Sequence, residues 1–158
     1  MTVRLGAAAD HDAAVRVWLR ANEARGRVPS AARVARIRAK LGDPVATLLV
    51  ATDDDVVGMA LTEPGRADDG AGEPLPELCH LAMVFVDPGR QGVGVGGLLV
   101  AAVRAFAVHC GHSRIDVWTG AENERAQRLY RGAGFVPTGR TGTLANGLRT
   151  VQLLLRLT

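Results

Sequence analysis

The sequence predicts an α/β fold, with a mixed, mostly antiparallel sheet flanked by helices. Three observations carry the prediction. β-rich runs and runs of helical spacing follow one another in the order β-α-α-β-β-β-α-β-α-β-β. Two of the β-rich runs, Thr47 to Thr52 and Val56 to Leu61, flank Asp53-Asp54-Asp55 and read as a hairpin. Hydrophobic residues make up 47% of 158 positions, which is ample for one core and too many for a disordered chain. A single domain over residues 1–158 is therefore expected.

The elements follow in order. Val3 to Leu5 reads as a first strand. Asp10 is a candidate N-cap for a helix carrying Val15, Trp18, Leu19 and Asn22 at helical spacing, with Gly26 as its stop. A second helix starts after Pro29-Ser30, places Val34, Ile37 and Leu41 on one face, and ends at Gly42-Asp43-Pro44; Arg33, Arg36 and Lys40 fall on its solvated face. Beyond the hairpin, Glu63 to Glu77 is rich in Pro, Gly and acidic residues and reads as a mobile loop. Leu78 to Val86 is almost entirely apolar, as expected of a strand buried on both faces. After a glycine-rich turn comes a helix with Leu98, Leu99, Ala102, Val103, Phe106 and Cys110 on its inner side and Gly111 past its end. Arg114 to Thr119 reads as a strand and Glu122 to Arg131 as a short helix. Strands near Phe135 to Pro137 and Thr150 to Leu155 complete the chain.

Composition narrows the function classes. The net charge of +3 and pI near 9.5 suit an anionic ligand. Lys40 is the only lysine, so arginine abundance reflects a coding bias, and the aromatics, at 4%, do not interleave with the basic residues. Stacking platforms for bases are missing, and no nucleic-acid partner is expected. No run of eighteen apolar residues predicts a membrane span, and Thr2-Val3-Arg4-Leu5 opens without a signal-peptide pattern. Two cysteines, Cys79 and Cys110, make neither a disulfide framework nor a zinc site; a reducing, cytoplasmic setting and no metal are the expectation.

The turn reads Val86-Asp87-Pro88-Gly89-Arg90-Gln91-Gly92-Val93-Gly94-Val95-Gly96-Gly97. Closely spaced glycines let successive N–H groups face one concavity, and the helix that starts here adds its own free N–H groups and positive dipole end. That is an anion site suited to a pyrophosphate. A Walker loop would end in Gly-Lys-Ser/Thr, which Gly96-Gly97-Leu98 lacks. A dinucleotide fingerprint would place glycine directly after the strand, whereas Asp87 to Gln91 intervene here. Gln91, Gly94 and Gly96 match the Gln/Arg-x-x-Gly-x-Gly/Ala signature, and the segment resembles the GNAT (Gcn5-related N-acetyltransferase) superfamily.

A second segment, Asn123-Glu124-Arg125-Ala126-Gln127-Arg128-Leu129-Tyr130 followed by Gly134-Phe135, resembles the second signature of that superfamily, in the same order and spacing. Ala126, Leu129, Tyr130 and Ala133 share one helix face, so the only tyrosine points inward. The resemblance is strong over Leu78 to Phe135 and implies the following. Acetyl-coenzyme A is the cofactor. Its pyrophosphate lies on Gln91, Gly92, Val93, Gly94, Val95 and Gly96. Its pantetheine arm pairs with the strand residues Val84, Phe85 and Val86, which splays from the strand ending at Thr119, and meets Asn123. A main-chain N–H near Val84 faces the developing oxyanion, and Tyr130 protonates the departing thiolate.

The base is not fixed by the residues. Many relatives carry a glutamate on the strand before the turn, where this sequence has Leu81-Ala82-Met83-Val84. Glu77 and His80 are the nearest titratable groups, and a water chain is the third option. Cys79 has no evident His partner for covalent chemistry. Arg125, Arg128 and Arg131 form a stripe that either faces the cofactor's 3′-phosphate or only complements the helix C-terminal dipole. The resemblance places the acceptor against the first two helices, near Trp18 and Asn22; the acidic residues Glu63, Asp68, Asp69, Glu73 and Glu77 either attract a cationic amine there or simply keep the loop soluble.

The implied function is transfer of an acetyl group from acetyl-coenzyme A to a primary amine of a small molecule or peptide, in a ternary complex. The alternatives are a non-catalytic acyl-coenzyme A sensor and a transferase of a different acyl group. No membrane partner is expected, and a homodimer is compatible with the sequence.

Overall fold

A computed structural model describes residues 1–157. The chain forms β1 (Thr2–Leu5), α1 (His11–Ala24), α2 (Ala31–Leu41), β2 (Thr47–Asp53), β3 (Asp55–Arg66), β4 (Pro74–Val86), α3 (Val95–His109), β5 (Arg114–Gly120), α4 (Glu124–Gly132), β6 (Val136–Thr143) and β7 (Arg149–Arg156). This is the predicted order. The residues gather into two compact units, one of Met1–Glu63 with Met83–Val103, the other of Pro64–Ala82 with Arg104–Thr158.

In the first unit β1 pairs with β2 and β2 with β3, both antiparallel. The hairpin turns at Asp54, whose φ of 66° is one that Asp tolerates because its short side chain bonds locally. α1 and α2 lay their apolar stripes on this sheet: Val15, Val17, Trp18, Ile37 and Leu41 are buried with Leu48, Val50, Met59 and Leu61. Ser30 caps α2 by accepting from Arg33 N at 3.2 Å. Asp10 precedes α1 without capping it. Its carboxylate accepts from Arg4 and from Ala7 N instead, and the bonds from Arg4 and then Ala7 push it down to about 2. An Asp next to a helix start has two competing donors, and here the strand arginine wins.

Gly58 on β3 marks a close approach: a Cβ there would sit 2.9 Å from Val95 Cγ1 and 3.0 Å from Leu99 Cδ1. Gly58→Val is therefore expected to overpack the start of α3 and cost about 1–3 kcal/mol, read as a lower denaturant midpoint. The buried positions of α3 are Val95, Leu99, Val100, Val103 and Ala107, while Leu98 and Cys110 are exposed. The inner face is thus rotated from the one the sequence suggested. In a helix apolar on nearly every side, periodicity alone does not choose the face.

In the second unit the strand order is β4-β5-β7-β6. β4 and β5 run parallel; β5/β7 and β7/β6 run antiparallel. Of the five pairings within the two units, four are antiparallel, as the sequence predicts. Cys79, Ile115 and Leu155 fall in one row across β4, β5 and β7, and Leu81, Val117 and Leu153 in the next; all six are buried.

Glu63 to Glu77 is mostly strand rather than loop. β3 runs on to Arg66 and β4 begins at Pro74, leaving a tight connection stitched by Ala67 N to Glu73 O and Gly72 N to Ala67 O, both 2.8 Å. Pro64, Pro74 and Pro76 misled the reading: proline forbids a ladder donor, not an extended backbone. β4 is not buried throughout either. Leu78, Cys79 and Leu81 are buried, whereas Met83, Val84, Phe85 and Val86 are half-buried.

Candidate functional site

The glycine turn belongs to the first unit. Asp87 N donates to Val57 O at 2.8 Å, tying the end of β4 to β3. The Asp87 carboxylate then caps the turn by accepting from Gly89 N at 3.0 Å, and it takes Arg20 of α1 through two atoms, Nε–Oδ2 at 2.8 Å and Nη2–Oδ1 at 3.3 Å. Arg90 bonds Asp53 at the hairpin, and this bond holds the Asp53 carboxyl below its usual range. Gln91 Nε2 lies 3.5 Å from Val86 O.

Within this frame Gly92 and Gly94 take φ of 84° and 88°, in the left-handed region that favours glycine. A Cβ on either would meet nothing within 4 Å, so the space beside the turn is open. α3 starts at Val95, one residue later, and offers its first free N–H groups there. Alternating backbone hand, open space beside the glycines and a helix N-terminus fit a pyrophosphate.

Val84, Phe85 and Val86 also belong to the first unit, whereas Glu77, His80, Asn123 and Tyr130 lie in the second. Asn123 is the N-cap of α4; its Oδ1 accepts from Ala126 N at 3.1 Å. Gln127 Nε2 anchors the same turn to Gly120 O and Ala121 O at 3.0 and 2.8 Å. Tyr130 is the one buried residue of α4, and its ring meets Phe135 at 5.6 Å between centroids, tilted by 58°. Gly134, at φ 100°, makes the turn that returns Phe135 to Tyr130. Burial pushes the Tyr130 hydroxyl up to about 12, so it holds its proton across the neutral range.

A pH effect on stability follows from that shift. The unfolded phenol ionises near its model value of 10.0, the folded one near 12. Stability from this group is complete below pH 10 and is lost as pH rises through 12, by about 2–3 kcal/mol. The difference between the wild-type and Tyr130→Phe stability curves isolates it: it should be flat to pH 10 and steep above.

Glu77 ion-pairs with Arg114 Nη2 at 3.3 Å and is half-exposed. His80 is not the isolated strand histidine it resembles in sequence. It stands opposite Asp116 in the parallel β4/β5 register, with Nδ1 2.9 Å from Asp116 Oδ1. Asp116 Oδ2 accepts from Gln152 Nε2 at 3.1 Å, and Gln152 Oε1 accepts from Thr138 Oγ1 at 2.9 Å. Asp116, Gln152 and Thr138 were missed in the sequence. The alternation Ile115-Asp116-Val117 shows that Asp116 leaves the apolar row, but the pairing register that meets His80 cannot be read there.

Two acceptor-side expectations, those for Trp18 and Asn22, are corrected. Trp18 and Asn22 are both 5% exposed; Trp18 is core under the Arg33 guanidinium, and Asn22 Nδ2 donates to Trp18 O at 2.8 Å. Neither lines an open surface. The acidic residues are largely engaged, Glu63 with Lys40, Asp69 with Arg140, Glu77 with Arg114. Arg128 and Arg131 are exposed on α4, as is Arg125. Among the described residues, no group of three or more His, Cys, Asp or Glu side chains could hold a metal ion, and no helix is long and apolar enough to cross a membrane.

The β4/β5 ladder runs from Leu78–Arg114 to Leu81–Val117, while β5 continues to Gly120 on β7. Residues 8–135, which contain both the glycine turn and α4, match the acetyltransferase (GNAT) family model. The chain belongs to the GNAT family. Among its relatives, the mycothiol acetyltransferase of Cellulomonas flavigena is 38% identical over 135 residues, covering 82% of this chain and 38% of the relative. That of Kineococcus radiotolerans is 37% identical over 117 residues, covering 72% of this chain and 35% of the relative. The chain therefore spans little more than a third of either. The structure of YncA from Salmonella typhimurium, solved with its cofactor acetyl-CoA, superposes with a TM-score of 0.74 at 24% identity, covering 100% of this chain and 94% of that one. This GNAT domain shares that fold.

Proposed function

We propose that this GNAT domain transfers an acetyl group from acetyl-coenzyme A to a primary amine of a small molecule or peptide. The observation that carries the reading is the pair of left-handed glycines, Gly92 and Gly94, with open space beside them immediately before α3. Backbone N–H groups of Gln91, Gly92, Val93, Gly94, Val95 and Gly96 hold the pyrophosphate. The half-buried run Val84, Phe85 and Val86 receives the pantetheine arm along its backbone, and Asn123 is the proposed side-chain contact of that arm. Acetyl-coenzyme A supplies an activated thioester acyl group. Tyr130 Oη, kept protonated by burial, is the proton source for the departing sulfur. His80 takes the proton of the amine, in preference to Glu77, whose carboxylate is engaged by Arg114. A reducing, cytoplasmic setting goes with this reading, and a homodimer is compatible with it.

Release of coenzyme A thiol across a panel of amines, set beside the thermal shift caused by coenzyme A alone, tests it. Thiol release that depends on both amine and enzyme supports transfer. A thermal shift with no turnover on any amine would point instead to an acyl-coenzyme A sensor, and no shift at all would remove the cofactor.

A further inference from the structure

Four polar side chains lie along one face of the second unit's sheet. His80 and Asp116 are cross-strand partners, Leu154 stands opposite Asp116, Gln152 is two residues from Leu154 on the same face, and Thr138 is two residues from Val136, the partner of Leu154. Asp116 and Gln152 are 7% and 8% exposed, so their bonds have little competition from water. The His80 side chain keeps 29% of its surface.

The hydrogen bonds in this row can run in only one direction. An ionised carboxylate accepts and cannot donate. Asp116 Oδ2 therefore takes the amide nitrogen of Gln152, which turns Gln152 Oε1 toward Thr138. Thr138 Oγ1 must then donate to Gln152, and it in turn accepts from the backbone Arg140 N at 3.1 Å. A β-bulge makes this last bond available. The β6/β7 register breaks between Pro137 and Thr141, which leaves Thr138 and Arg140 outside the regular ladder. At the other end Asp116 Oδ1 accepts from His80, so Nδ1 carries the hydrogen of the neutral ring and Nε2 carries the lone pair.

We propose that Asp116, oriented by Gln152 and Thr138, is a positioning residue that fixes His80 in the Nδ1–H tautomer, making Nε2 the acceptor of the proton lost by the amine. The proposal deepens the transferase reading and rests on it for the identity of the proton donor. As the amine nitrogen bonds to the acyl carbon its N–H bond breaks and the proton passes to Nε2. The resulting imidazolium shares its Nδ1–H with the Asp116 carboxylate. The sulfur leaves as a thiol with the proton from Tyr130, and solvent carries a proton from His80 back to Tyr130.

The test is the ¹⁵N spectrum of the histidine ring in the intact protein, at a pH where it is neutral, with His80 assigned by its loss in His80→Gln. The wild type should show Nδ1 protonated and Nε2 bare. In Asp116→Asn, Gln152 still donates to the Asn oxygen, so the Asn amide donates to Nδ1 and the ring should switch to Nε2–H. Turnover should then fall about 10²-fold with the affinity for coenzyme A unchanged. A wild-type ring protonated at Nε2 overturns the proposal, and needs no variant to fold. So does a switched tautomer with undiminished turnover. A protein inert toward every amine overturns the transferase reading and the proton-accepting role with it; the wild-type tautomer still decides whether Asp116 orients His80.

Discussion

Tyr130→Phe is expected to lower kcat about 10²-fold, near the low end of general-acid effects, with little change in KM or in coenzyme A affinity. The ring stays, and with it the tilted contact with Phe135 and the burial that fills this part of the second unit. Only the hydroxyl is lost, and its work falls where negative charge gathers on sulfur, so the loss belongs to the transition state rather than to binding. The protonated state this needs is secured: burial leaves the phenol near 12, far above any working pH. Removal of a buried hydroxyl keeps the fold, so the melting temperature at neutral pH should move little. A folded Phe variant with wild-type kcat would take the acid role from Tyr130 and leave solvent to protonate the thiol.

Gly94→Val is expected to weaken coenzyme A binding at least about tenfold, or roughly 1.4 kcal/mol. Two effects add. At φ 88° a β-branched residue is strained, which shifts the turn toward other conformations. The new side chain also extends into the open space proposed for the pyrophosphate, where a Cβ meets nothing within 4 Å. Gly147→Val separates the two. Gly147 has φ 86° and equally open surroundings, but lies in the β6–β7 turn. It should carry a similar backbone penalty with no loss of affinity. Isothermal titration with coenzyme A measures both, and equal affinity for wild type and a folded Gly94→Val would move the pyrophosphate elsewhere.

The hairpin around Asp54, the α4 motif ending at Phe135 and the glycine turn were all legible in the sequence, because each depends on neighbours within a dozen residues. What failed was decided at longer range. The inner face of α3 depends on which neighbours meet an all-round apolar helix. Trp18 and Asn22 looked accessible only until α2 and the sheet buried them. Asp10 as a cap lost to Arg4, a partner contributed by a strand. The polar row through His80 needs three strand registers at once, two of them between segments more than thirty residues apart, so nothing local in the sequence singles out Asp116 or Gln152.

The Lys40–Glu63 contact, at 3.3 Å, has a chemical consequence. Thioesters acylate unprotonated lysine side chains without any catalyst, and a protein that binds one continually bathes its own surface in it. This sequence exposes a single ε-amino group to that damage, and the group is held in an ion pair with Glu63. Arginine carries the remaining positive charge and does not acylate under such conditions. Intact mass spectrometry after long incubation with acetyl-coenzyme A should therefore find side-chain N-acetylation confined to one position, and amine-reactive dyes should label the side chains of this protein at Lys40 alone.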